Sequence, residues 1–89
     1  MRLAVLASGG GTILDAMLES GIPVALIVVD RPCGAAAVAQ RHDVSCVLLA
    51  RNSYGADFDR HGYTAELTEL LLRHEIDLVA MAGFGTILD

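Results

Sequence analysis

Three consecutive glycines, Gly9, Gly10 and Gly11, separate a short apolar run from a segment of helical periodicity. Leu3 to Ala7 reads as a strand. Thr12 to Ser20 reads as a helix with Ile13, Leu14, Met17 and Leu18 in an apolar stripe. A glycine turn from strand to helix restricts the chain to folds built from βα units. Glycine lets the backbone turn sharply and come close to a ligand without interference from a Cβ. The helix that follows directs free N–H groups and its positive dipole end at the same place, which makes an anion site, most often for phosphate. The plainer alternative is a tight turn with no ligand.

The rest of the chain repeats the alternation. Thr12 and Asp15 have capping-box spacing, and Gly21 marks a helix stop. Val24 to Val29 is a buried aliphatic strand ending at Asp30; Pro32 and Gly34 punctuate; Ala35 to His42 is a short helix with Val38 and Ala39 inward. Cys46 to Leu49 is a third strand, and residues 51–59 form a polar loop. From about Arg60 to His74 a third helix carries Tyr63, Leu67, Leu70 and Leu71 at helical spacing, with Glu69 and Arg73 as an i,i+4 pair. Leu78 to Ala82 is a fourth strand, followed by Gly83-Phe84-Gly85.

Right-handed crossovers turn β-α-β-α-β-α-β into a Rossmann-like α/β fold with a parallel sheet ordered 3-2-1-4. The first two helices share one face and the third takes the other. Both glycine loops then leave the sheet at its reversal point and share one crevice. The three-layer domain is incomplete: one helix covers the second face and the fourth strand is an open apolar edge, so self-association is expected. More chain is expected after Asp89.

Composition agrees with this layout. Eighty-nine residues make one small domain, yet 54% are hydrophobic and mean hydropathy is +0.54, which calls for strands buried on both faces. No apolar run reaches the ~18–20 residues of a membrane span, and no basic leader precedes one. Net charge is −5 and the six basic residues are scattered arginines, so neither a nucleic-acid stripe nor a membrane-binding patch is present. Cys33 and Cys46 suit neither a disulfide framework nor a Cys-x-x-Cys site; they read as free, buried thiols of a cytoplasmic protein.

Several chemistries compete for the glycine turn. Gly9-x-Gly11 opens a dinucleotide fingerprint and Asp30 stands near the ribose-binding position, but Leu14 replaces the third glycine. No Lys-Ser or Lys-Thr follows for a nucleotide-triphosphate loop. His42, His61 and His74 lack metal-ligand spacing, so no metal is expected, and His42 and His74 read as exposed partners of helix C-termini. Asp30 reads as a turn residue, Asp57 and Asp59 flank a helix start with Asp59 its cap, and Met17 and Met81 read as core filler. Cys33 has only Arg31 to activate it.

Arg2-Leu-Ala-Val-Leu-Ala-Ser-Gly-Gly-Gly-Thr12, Val28-Val-Asp-Arg-Pro32, Asp77-Leu-Val-Ala-Met-Ala-Gly-Phe84 and Ile87-Leu88 occur in that order. Together they resemble the N-terminal part of phosphoribosylglycinamide formyltransferase, the folate-dependent enzyme of purine synthesis, over essentially the whole chain. The resemblance implies that Gly11, Thr12 and Ile13 hold the phosphate of 5-phosphoribosylglycinamide. It implies that Gly85, Thr86, Ile87 and Leu88 line the pteridine pocket for 10-formyltetrahydrofolate, with Arg60 or His61 approaching the folate side. Ile13 stands where the family has asparagine, Asp15 for glutamine, Gly85 for methionine and Thr86 for arginine. An Asn-x-His segment and a later aspartate, implied as the catalytic groups, would follow the fourth strand; residues 1–89 are thus expected to be the nucleotide-binding part, inactive alone. The runner-up is a stand-alone nucleotide- or NAD-binding module.

Overall fold

The structure, a computed structural model, describes residues 2–50 and 60–85. Strands and helices alternate as β1 (Leu3–Ala7), α1 (Thr12–Glu19), β2 (Leu26–Val29), α2 (Gly34–Arg41), β3 (Cys46–Leu48), α3 (Arg60–Arg73) and β4 (Leu78–Ala82). The strands form one parallel sheet in the order β3-β2-β1-β4. Ala7, at the end of β1, lies between Val29 of β2 and Ala82 of β4. Three strands therefore end side by side, which places the loops after them together. β2 begins two residues later than its apolar run, because Val24 lies before the ladder in the connection from α1.

Period-two alternation divides the two central strands between two cores. Val5, Ala7, Ile27 and Val29 meet Leu14 of α1 and Ala35, Val38 and Ala39 of α2. Ala4, Leu6, Leu26 and Val28 meet Tyr63, Leu67 and Leu70 of α3. The Tyr63 hydroxyl donates to the Leu49 carbonyl at 2.7 Å, so its burial leaves that polar atom paired. The edges are different. Met81 is 58% exposed, with Leu78 and Val79 also exposed: it is surface rather than core filler, because it points to the α3 side of an edge strand that α3 does not reach. Glu69 and Arg73 form no ion pair among the described residues.

All three helices end in the same way. Gly21, Asp43 and Glu75 take positive φ values of 81, 56 and 56°. The next N–H, of Ile22, Val44 and Ile76, returns to the carbonyl five residues back, on Met17, Ala39 and Leu71. The positive-φ residue itself bonds three back, to Leu18, Gln40 and Leu72. This is the Schellman pattern, which satisfies carbonyls left over at a helix end. Val44 and Ile76 then pack onto the two cores, so each stop also aims the chain at its next strand.

Candidate functional site

β1 runs out into Ser8 and the glycine turn, and β4 into Gly83. Between them lies a cleft of about 180 Å³, lined by Gly9, Gly10, Gly11, Thr12, Ile13, Ala82 and Gly83. It sits at the C-terminal ends of β1 and β4, where the strand order reverses, the position where doubly wound sheets bind ligands. The crevice predicted from the topology is present.

The helix start differs from the capping box expected. Gly11, with φ 87° and ψ 12°, is the N-cap of α1, and no side chain caps it. The first intrahelical bond runs from Asp15 N–H to the Gly11 carbonyl at 2.7 Å. The N–H groups of Thr12, Ile13 and Leu14 thus have no helical acceptor, and Thr12 and Ile13 line the cleft. The Asp15 carboxylate is turned away to α2, where its Oδ1 accepts from Arg41 Nη2 at 3.0 Å and lies 2.9 Å from His42 Nε2. His42 is thereby half-buried against the Asp15 carboxylate rather than an exposed helix-end partner. The His42 hydrogen bond, opposed by burial and then aided by the Arg41 charge, holds the Asp15 carboxyl below its ordinary value. Asp15, Glu19 and His42 come together closely enough to share an ion, but Arg41 already sets a fixed positive charge on the same Asp15 oxygen.

The glycines of the turn have separate reasons to be glycine. A Cβ on Gly11 would lie 2.8 Å from Val38 Cγ2 and 3.0 Å from Ala35 Cα, in a backbone conformation L-residues avoid. One on Gly34 would lie 2.6 Å from the Gly10 carbonyl oxygen. The loop is pressed against the start of α2, whose Ala35 N–H donates to the Gly9 carbonyl at 3.1 Å. A Cβ on Gly9 or Gly10 would meet nothing within 4 Å. These two keep the cleft open, whereas Gly11 and Gly34 permit the packing behind it.

Among the described lining residues no side chain is charged, and Thr12 supplies the one hydroxyl. Ile13 is 57% exposed, an aliphatic side chain at the edge of a cleft lined largely by glycine backbone. Just beyond Gly83, Gly85 N–H donates to Ser8 Oγ, and Arg31 reaches the same point from the end of β2. Sequence reasoning missed Ser8 and Arg31 as site residues, since each acts from a strand end whose neighbours only the sheet order reveals.

Other sequence candidates lie elsewhere. Arg60 is exposed at the start of α3, on the opposite face of the sheet from α1. His61 lies on the outward side of α3 beside Thr64 and Ala65. His74 Nδ1 approaches the Leu70 carbonyl at 3.0 Å, a half-buried helix-end partner. Cys33 is half-buried and Cys46 exposed, not both buried as expected. Desolvation, then Cys33, raises the Cys46 thiol above its ordinary value, which disfavours a reactive thiolate. Asp57, Asp59, Thr86, Ile87 and Leu88 lie outside the described residues.

A protein of Mycobacterium tuberculosis is 34% identical to this chain over 92 residues, and the match takes in 98% of the chain. That relative is a phosphoribosylglycinamide formyltransferase. The chain spans 41% of its length. Among solved structures, glycinamide ribonucleotide transformylase 1 from Symbiobacterium toebii superposes with a TM-score of 0.86 at 29% identity, covering 100% of this chain and 44% of that one. Phosphoribosylglycinamide formyltransferase from Streptococcus pneumoniae gives 0.82 at 30%, covering 99% and 47%. A formyltetrahydrofolate deformylase from Pseudomonas putida, at 15% identity and a TM-score of 0.76, shares the fold alone. No protein-family profile matches the chain.

Proposed function

We propose that residues 1–89 are the nucleotide-binding part of a cytoplasmic, folate-dependent formyltransferase of purine biosynthesis. The reaction moves a formyl group from 10-formyltetrahydrofolate to the amine of 5-phosphoribosylglycinamide. The observation that carries this reading is the start of α1: N–H groups without helical acceptors, facing a cleft that two glycines leave open. The 34% identity over 98% of the chain supports the choice of substrate.

The phosphate accepts from the N–H groups of Gly11, Thr12 and Ile13, with the Thr12 hydroxyl as a further donor. Hydrogen bonds to a charged group contribute about 1.5–3 kcal/mol each, and the dipole of α1 adds to them. The carboxylate of Asp15, which would oppose an anion at this helix end, is turned to α2 and held there by Arg41 and His42. The glycinamide arm then runs toward Gly83 and Gly85. The folate pteridine lies against Gly85, Thr86, Ile87 and Leu88, with Arg60 on the folate side. In transfer the amine attacks the formyl carbon, and collapse of the tetrahedral oxyanion breaks the bond from that carbon to the folate nitrogen; tetrahydrofolate leaves, its nitrogen taking up a proton as the amine loses one. No residue of the 89 is assigned to that proton or oxyanion, and no metal is required.

A dinucleotide-binding module is the second reading, and two observations weigh against it. Leu14 is wholly buried between α1 and the sheet, where a third glycine would permit closer packing. Asp30 is also wholly buried, with both oxygens engaged by Arg31, so it is not offered to a ribose. Calorimetric titration with 5-phosphoribosylglycinamide and with NAD separates the readings. The ribonucleotide is expected to bind at least tenfold more tightly; tighter binding of NAD would favour the second.

A further inference from the structure

β2 ends in a feature the phosphate site does not use. Asp30 is the one fully buried charged side chain among the described residues. Burying a carboxylate costs several kcal/mol unless it is paired. Both Asp30 oxygens are paired by the adjacent residue, Arg31 Nε and Nη2 standing 3.1 Å from Oδ1 and Oδ2. A fork of this kind fixes the plane and direction of the guanidinium.

That direction is across the sheet. Arg31 Nη2 stands 3.1 Å from the point where a Cβ on Gly85 would sit. Gly85 follows β4, and β1 separates β4 from β2. Arg31 therefore spans the C-terminal end of β1, where Ser8 Oγ accepts the Gly85 N–H. The glycine at position 85 is part of the fit, because a side chain there would press on the guanidinium.

We propose that Arg31, held by Asp30, is a positioning residue: a strut across the end of β1 that sets the Gly83–Gly85 segment against the glycine turn. It thereby fixes the far wall of the crevice along which the glycinamide arm of the substrate runs. The ligand in this inference rests on the function proposed above; the strut does not.

The test uses the 89-residue chain labelled with ¹⁵N, as wild type, Arg31→Lys, Arg31→Gln and Asp30→Asn. Amide exchange is read at Gly85, with the β1 and β2 amides as a control for folding. Binding of inorganic phosphate and of 5-phosphoribosylglycinamide is titrated alongside. Each variant is expected to speed Gly85 exchange at least tenfold while the control amides keep their protection. Ribonucleotide affinity should fall at least fivefold and phosphate affinity stay within twofold, because phosphate touches only the α1 end. Arg31→Lys should fail like Arg31→Gln, since one ammonium cannot cover both Asp30 oxygens and also reach Gly85. Its retained charge over Asp30 keeps the fold, so it carries the test if Arg31→Gln unfolds. Unchanged Gly85 exchange in folded Arg31→Lys, or equal losses for both ligands, overturns the strut. Failure of the wild type to bind the ribonucleotide contradicts the proposed function instead, and Gly85 exchange still decides the strut.

Discussion

Gly10 and Gly11 are neighbours of one residue type with different tasks. Gly11 combines a positive φ with close approach to Val38 and Ala35, so Gly11→Ala is expected to destabilise the fold by at least about 2 kcal/mol. A Cβ on Gly10 enters open space. Gly10→Ala should leave stability within about 0.5 kcal/mol of wild type and weaken ribonucleotide binding at least tenfold, about 1.4 kcal/mol. Denaturant melts and calorimetry on the two variants separate packing from access; equal melting midpoints would refute the division. Asp15 supplies a pH-dependent counterpart. Its carboxyl titrates below the ordinary value in the folded chain, so its ion pair stabilises the fold above the usual carboxylate pKa of about 4. That contribution is lost as pH falls through the lowered folded value. The gap in thermal midpoint between wild type and Asp15→Asn is expected to shrink as pH falls below about 4. A gap unchanged at low pH would remove Asp15 from the account.

At the scale of elements, the three helix stops share a geometry but not a residue. Only α1 uses glycine; Asp43 and Glu75 bear the left-handed conformation with a side chain attached. Glu75→Gly should therefore stabilise the chain by about 0.5–1 kcal/mol, read from denaturant unfolding, and destabilisation would mean that the Glu75 side chain has a role of its own. β1 and β4 were legible to the residue because uninterrupted aliphatic runs end at Ser8 and Gly83. The sheet order followed from handedness once four strands and three helices were placed. The cap was not legible: Thr12 and Asp15 have the spacing of a capping box whether or not Arg41 and His42, which lie in another element, take the carboxylate. Nor was the exposure of Met81, which depends on what covers β4 rather than on its own run. With Leu78, Val79 and Met81 exposed on an edge strand that carries no charge, the chain is expected to self-associate. Sedimentation should show Met81→Lys closer to monomer than wild type; a monodisperse wild-type monomer would contradict this.

For the molecule as a whole, the two cores and the parallel ladder exist to bring three strand ends together. The α1 N-terminus, the Gly83–Gly85 segment and Arg31 lie at that end of the sheet. None of the three histidines lines the cleft, so these 89 residues alone are expected to bind the ribonucleotide without transferring a formyl group. The central claim is that a phosphate monoester sits on the first turn of α1. Amide shift mapping during titration with 5-phosphoribosylglycinamide, set against its dephosphorylated counterpart, tests it most directly. The account predicts that the largest shifts fall on Gly11, Thr12 and Ile13, and that loss of the phosphate weakens binding at least tenfold. Shifts centred away from α1, or equal affinity for the two ligands, would contradict it.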